Sequence, residues 1–269
     1  MAAPGVLLAV LAHPDDESFG MGGTLALYAR QGWDVYLVCA TRGEAGTLDP
    51  EMREGNTVMG DLRENELRCA AQVLGLTDVI ILGYRDSGMP GAVENNHPDA
   101  LIMHPVEEVA GQVVRYIRKL RPDIVLTFDP IGGYQHPDHI HIHRATVMAF
   151  QRSDDADFFT CEWSLYKPAA LYFHIMPHDM LKVLVWFMKV FGKDPSRFGR
   201  NGDIDLETVA RASFPVHARI DIRKVRTVKE KAGACHASQG GGRKRRGLLG
   251  LLLDVLSRYE TFMRAYPEV

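Results

Sequence analysis

The chain has 269 residues, of which 46% are hydrophobic, enough to bury a full core in one large domain. Lys and Arg number 31 against 34 Asp and Glu, a formal net charge of -3, which excludes a general electrostatic attraction to nucleic acid or to an anionic membrane surface. Cys39, Cys69, Cys161 and Cys235 stand far apart without a CxxC pair, so a reduced, cytoplasmic protein is expected.

The apolar run Gly5 to Ala12 has no basic stretch before it and leads straight into His13-Pro14-Asp15-Asp16-Glu17. Val6 to Ala12 is therefore expected as a strand buried on both faces, not as a secretory signal. A helix around Thr24 to Gln31 and a strand over Val35 to Ala40 follow. The next helix runs around Arg63 to Leu74, where Leu67, Ala70, Ala71 and Leu74 recur at helical spacing and Gly75 is the stop. Then come a strand over Val79 to Leu82, a helix from about Val106 to Leu120, and a strand over Ile124 to Phe128.

Such alternation predicts an α/β fold, a Rossmann-like, mostly parallel sheet flanked by helices. In the common order 3-2-1-4, strands one and four are neighbours, and the crevice between their C-terminal ends is the switch point where ligands bind. Beyond Asp154 the pattern is less regular. Ala169 to Met176 reads as a strand, His178 to Phe191 as an apolar helix serving as an interface or pocket cover, Ile222 to Cys235 as a charged helix, and Glu260 to Tyr266 as a last strand. With no internal repeat or clear linker, a single domain over 1–269 is expected, with a core over 1–153 and a C-terminal elaboration over 154–269. Leu181 to Phe191 and Leu248 to Leu253 are too short to span a bilayer. Gly240-Gly241-Gly242 and Arg243-Lys244-Arg245-Arg246 read as a mobile loop, either a basic flap favouring an anionic substrate or a plain solvated loop.

Two strand ends carry matched polar clusters, His13 to Glu17 and Asp129 to His139. Zinc in a hydrolytic site takes about three His or carboxylate ligands and keeps a position open for water. His13 and Asp16 can turn toward one point, and Pro137 suits the first turn of a helix that puts His136 and His139 on one face. Three of these four could ligate, leaving the fourth for acid or electrostatic work. Asp15 is not needed to complete the set and is the candidate general base. Tyr134 and His136 are candidates for stabilising an oxyanion, and Asp138 for holding one imidazole in its tautomer. His97-Pro98-Asp99 precedes no strand and reads as a turn, and His143, on the His139 face, reads as a helix-packing residue. Two His and one carboxylate also form the facial triad of non-haem iron oxygenases, but that chemistry gives Asp15 no role. A catalytically silent sugar-binding protein is the third alternative, and Asp15 and His136 speak against it.

These residues resemble the PIG-L/LmbE-like family of metal-dependent N-deacetylases, which includes the enzymes that deacetylate N-acetylglucosaminyl intermediates of mycothiol and bacillithiol synthesis. The resemblance covers most of the chain. It is carried by Ala12 to Glu17, Thr41-Arg42-Gly43-Glu44, Arg63 to Leu67, Leu82 to Met89 and Gly133 to His139. It implies that His13, Asp16 and His139 bind zinc, with ferrous iron or another divalent metal as alternatives. It further implies that Asp15 is the base, that His136 stabilises the intermediate with Asp138 behind it, and that Tyr134 acts near the oxyanion. By the same resemblance Glu44, Arg63 and Asp86 meet the sugar or its attached group. The plainer expectation is that Arg63 pairs with Glu64 or Glu66 and that Asp86 shapes a turn. Lys231, Ala234, His236, Ser238 and Gln239 resemble a later family segment, near the pocket or a plain helix end. The implied partner is a small N-acetylglucosaminyl conjugate whose aglycone (inositol, malate, another sugar or a lipid) is not distinguished, and a homo-oligomer is left open.

Overall fold

In the computed structural model, which describes residues 4–47, 58–176, 178–198, 202, 204–242 and 258–268, the apolar runs pair into one sheet. Its strands are β1 (Val6–Leu11), β2 (Asp34–Thr41), β3 (Asp78–Tyr84), β4 (Ile124–Phe128), β5 (Ala170–Ile175), β6 (Ala218–Asp221) and β7 (Tyr259–Tyr266), in the order β3-β2-β1-β4-β5-β7-β6. The five strands from β3 to β5 pair in parallel, and β7 runs antiparallel to both β5 and β6. β1 is central, flanked by β2 and β4, and Leu7 to Leu11 are all but inaccessible to solvent. The expected 3-2-1-4 order therefore holds, and the C-terminal strands extend the same sheet as an antiparallel edge.

The helices are α1 (Gly22–Arg30), α2 (Met59–Leu74), α3 (Val106–Leu120), the short turn α4 (Gly132–Gln135), α5 (Pro137–Arg152), α6 (His178–Val190), the short α7 (Leu206–Val209) and α8 (Arg226–Cys235). α1, α2 and α8 pack together, and α3 packs on α5. Right-handed crossovers to either side of β1 place these two groups on opposite faces of the sheet. α3 buries the stripe Val109, Ala110, Val113, Val114 and Ile117, the spacing that made it legible. α2 ends at Gly75, whose φ of +78° supplies the left-handed cap, but it begins a turn before the expected Arg63. α8 starts at Arg226, not Ile222, because Val225 N–H donates to the Ile222 carbonyl at 2.9 Å and closes a separate turn there. β6 was not expected from the sequence, since this short edge strand keeps none of its residues fully buried and offers no apolar run.

α6 packs Leu181 and Met188 with Leu206, Val209 and Ala210 of the α7 region in a second, smaller apolar cluster, against which Ile131 and Tyr134 lie. Its outer side leaves Val183, Trp186 and Val190 exposed. No helix among the described residues is long and apolar enough to cross a membrane. The basic quartet Arg243 to Arg246 and the Leu248 to Leu253 segment lie outside the described residues.

The expectation of four reduced cysteines is corrected in one respect. Cys69 of α2 and Cys235 at the end of α8 form a disulfide with Cα atoms 5.9 Å apart, while Cys39 and Cys161 are free. The pairing escaped notice because the two cysteines are 166 residues apart in sequence and only the packing of α8 on α2 brings them together.

Candidate metal centre and active site

Four neighbouring strands deliver the site from their C-terminal ends: His13 to Asp16 follows β1, Arg42 to Glu44 follows β2, Asp86 follows β3, and Asp129 to His139 follows β4. The crevice lies at the switch point between β1 and β4, as the strand order requires.

On the β4 side, Asp129 Oδ1 accepts the backbone N–H groups of Ile131 and Gly133 at 3.1 and 2.9 Å, folding the loop tightly. Gly132 takes φ +65°, and a Cβ there would stand 2.8 Å from the His139 Cβ, so the close approach demands glycine. His136 caps α5, its Nδ1 accepting the Asp138 N–H at 3.2 Å, with Pro137 in the first turn. That bond uses the Nδ1 lone pair and leaves the proton of the neutral ring on Nε2. His139 is held from behind, with Nδ1–H donating to the Gly132 carbonyl at 3.2 Å, and its ring stacks on Phe128 at 3.9 Å.

On the β1 side, His13 Nε2–H donates to Asp138 Oδ2 at 3.0 Å, and Asp86 Oδ1 lies 3.4 Å from the same nitrogen. This corrects the expected placing of Asp138 behind His136. Its carboxylate turns across the crevice to His13 and to the Ser87 N–H at 2.9 Å, and its backbone N–H is what His136 accepts. The Asp16 Oδ2 accepts the His13 N–H at 2.7 Å.

Each imidazole is thus bonded on its far nitrogen, and the near ones face each other. His13 Nδ1 and His139 Nε2 are 3.2 Å apart, His139 Nε2 is 3.3 Å from Asp16 Oδ1, and His13 Nδ1 is 3.6 Å from Asp16 Oδ2. Two ring lone pairs and a carboxylate converging in a buried space repel unless a proton or cation stands between them. Tetrahedral zinc with usual bond lengths separates its ligands by about 3.3–3.5 Å, close to the 3.2 and 3.3 Å at which His139 Nε2 stands from His13 Nδ1 and Asp16 Oδ1. One nitrogen of His136 also comes within 4.8 Å of His13 and His139, as do His13, Asp86 and Asp138 among themselves.

The charges are set by this crowding. Burial pulls His13 down, but Asp86, Asp138 and Asp16 overcome it and hold the ring well above the usual histidine range. Burial pushes His136 well below that range, helped by His13 and His139. Burial opposes ionisation of Asp16 and Asp86, yet His139 and His13 hold Asp16, and His13 holds Asp86, well below the ordinary carboxylate range. Asp15 behaves oppositely, since burial pushes it up to about 6 against the pull of Arg63. Its backbone φ of 117° is unusual for a residue with a side chain.

Arg63 pairs with neither Glu64 nor Glu66. It is buried, donating from Nη2 to the Pro14 carbonyl at 2.6 Å and to Asp15 Oδ2 at 3.1 Å, and from Nη1 to the Gly43 carbonyl at 2.8 Å. Asp86 does cap a turn, accepting the Gly88 N–H at 2.8 Å, but it also faces His13 and stands 3.8 Å from Arg63. Glu44 accepts the Asp86 N–H at 3.1 Å, and the Tyr134 ring stands 4.9 Å from that of His139. The ten singled-out residues therefore meet around one crevice. His143 packs as expected, Nδ1–H donating to the Phe128 carbonyl at 2.7 Å, and His97 to Asp99 is a loop. Sequence reasoning gave no place in the site to Glu17, Ser87 or Glu66, the last being expected only as a partner of Arg63. Glu17 ends the His13 motif and Glu66 stands on the quoted helix, so a signal for both was present.

The PIG-L family, described as GlcNAc-PI de-N-acetylase, matches residues 8–150. A 1D-myo-inositol 2-acetamido-2-deoxy-alpha-D-glucopyranoside deacetylase of Acidothermus cellulolyticus is 37% identical over 242 residues, 87% of this chain and 79% of that protein. Among solved structures, N,N'-diacetylchitobiose deacetylase from Pyrococcus horikoshii superposes with a TM-score of 0.65 at 20% identity, covering 97% of this chain and 83% of that one. The 4-carboxy-2-hydroxymuconate hydratase GalB of Pseudomonas putida KT2440 gives 0.64 at 20% identity, with 98% of each chain covered. The hydratase shows that the fold alone does not fix the reaction, and the two structural likenesses speak for the fold only. With a family match over more than half its length and a relative of this identity aligned along most of it, the chain belongs to the PIG-L family.

Proposed function

We propose that the protein is a metal-dependent N-deacetylase that hydrolyses the acetamide of a small N-acetylglucosaminyl conjugate, with a GlcNAc-inositol type of substrate favoured by its relatives. The observation that carries the proposal is the opposition of His13 Nδ1, His139 Nε2 and the Asp16 carboxylate within 3.6 Å, with Asp15 beside them. His13, Asp16 and His139 would hold the ion, zinc by donor type or ferrous iron as the alternative. When bound there, the cation polarises the acetyl carbonyl and lowers the pKa of water.

The chain's own groups do the rest. Asp15 takes the proton from the attacking water and returns it to the departing amine. The His136 tautomer fixed by the Asp138 N–H presents Nε2–H as a donor to the developing oxyanion, and the Tyr134 hydroxyl is a second donor. Asp138 holds the His13 ring in place. Glu44 and Asp86 offer carboxylate oxygens to sugar hydroxyls. Arg63, whose two Nη groups donate to Pro14, Gly43 and Asp15, supports the base.

Incubating the zinc-loaded protein with N-acetylglucosaminides of inositol, malate and simple alcohols, and assaying the freed amine, tests the proposal. Release from at least one, abolished by chelation and restored by metal, is the expected result. No amine from any of them, with zinc or with iron, overturns it.

A further inference from the structure

Asp15 holds a backbone conformation that L side chains seldom adopt, so something must keep it there. Its own carbonyl accepts the Ser18 and Phe19 N–H groups at 3.0 and 2.9 Å, and Arg63 holds its carboxylate and the preceding carbonyl. The Asp15 N–H is held by Glu17, whose Oε2 accepts it at 3.0 Å. Glu17 is wholly buried, and a buried carboxylate is costly unless donors surround it. Its second oxygen receives the Ser18 hydroxyl at 2.5 Å and His236 Nε2–H at 2.7 Å.

His236 comes from the far end of the chain, just past α8, and is also wholly buried, with its Nδ1 unpartnered among the described residues. The same short segment is fastened to α2, the helix that carries Arg63. Cys235 is bonded to Cys69, and Ser238 donates its N–H and hydroxyl to Glu66 at 2.8 and 2.6 Å. Arg63 and Glu17 are thereby both tied to one C-terminal segment.

Resting on the deacetylase proposal above, we propose that His236 is a positioning residue for the reaction: through Glu17 it fixes the backbone of Asp15 and so the aim of the base. Without the His236 donor, Glu17 is left short of a partner in a dry space and is free to release the Asp15 N–H. A misaligned base costs turnover more than binding.

The test compares His236→Gln, His236→Asn and His236→Met in the full, zinc-loaded chain. Gln brings an amide N–H to the place of Nε2, Asn is too short to reach Glu17, and Met fills the volume without donating. His236→Met and His236→Asn should lower kcat about 10- to 100-fold, with zinc content unchanged. KM should stay within about threefold, and His236→Gln should recover most of kcat. Backbone amide exchange across 13–18 should quicken in the Met and Asn variants and slow again in Gln, while α3 stays protected in all. If His236→Met does not fold, Asn against Gln carries the same comparison. Equal kcat and equal exchange across the series overturns the proposal, as does a loss that Gln fails to relieve. A wild-type enzyme that frees no amine overturns the proposed function and this role together, whereas an active wild type with unaffected variants overturns the role of His236 alone.

Discussion

Nε2 of His13 lies 3.0 Å from Oδ2 of Asp138, and that same oxygen accepts the Ser87 N–H at 2.9 Å. Asp138 stands between His136 and His139 in sequence, but α5 turns its side chain toward the end of β1. The carboxylate thus fixes the Nε2–H tautomer of His13 and aims the Nδ1 lone pair at His139.

Asp138→Ala is therefore expected to weaken zinc binding by about 10- to 100-fold, the usual effect of removing a carboxylate behind a ligating imidazole. Chelator competition on the purified variant measures it. Wild-type affinity in Asp138→Ala would mean that Asp138 does not govern His13.

The two flanking histidines should separate cleanly. His139 offers an uncommitted Nε2 to His13 and Asp16, whereas His136 has Nδ1 occupied by a backbone N–H. His139→Ala and Asp16→Ala should lose most of the bound zinc. His136→Ala should keep it and lose about 10²–10³-fold in kcat, the cost of one oxyanion donor. Metal analysis beside kinetics decides, and zinc loss in His136→Ala with retention in His139→Ala would reverse the assignment.

The parallel core was legible because its central strands β1, β2 and β4 are buried on both faces and write themselves as apolar runs, as Leu7 to Leu11 do, with the helices between them marked by stripes such as Val109, Val113 and Ile117. The short strand Ala218–Asp221 was not, since an edge strand with no fully buried residue has no such signature. At the site, residue types and loop positions were readable from the two His-Pro-Asp segments. Partnerships were not: which imidazole Asp138 serves, or that Arg63 turns inward to Asp15, depends on how strand ends and helices face each other in three dimensions. The Cys69–Cys235 bond belongs to the same class, arising from helix packing across 166 residues of sequence.

That bond closes a long loop, and its loss should be felt in stability. Cys69→Ser is expected to lower unfolding free energy by about 2–5 kcal/mol, the usual cost of removing a native disulfide. Urea unfolding of the variant against the oxidised wild type measures it, and thiol labelling of the unreduced wild type should find only Cys39 and Cys161 after unfolding. Labelling of all four cysteines would refute the bond itself.

Asp15 links pH to turnover. Burial pushes its carboxyl up to about 6, and Arg63 beside it pulls the other way. A general base works ionised, so kcat should fall on the acid side as pH drops through the Asp15 pKa in the loaded enzyme. Removing the guanidinium in Arg63→Leu takes away the strongest pull against burial, raises that pKa, and should move the acid limb to higher pH. Asp15→Asn should abolish the limb and lower kcat by about 10²–10⁴-fold while leaving zinc in place, because the amide cannot take a proton. The pH profiles of the wild type and both variants, normalised to zinc content, make the comparison. An acid limb that stays put in Arg63→Leu would separate Arg63 from the base, and near-native turnover in Asp15→Asn would remove Asp15 from the chemistry.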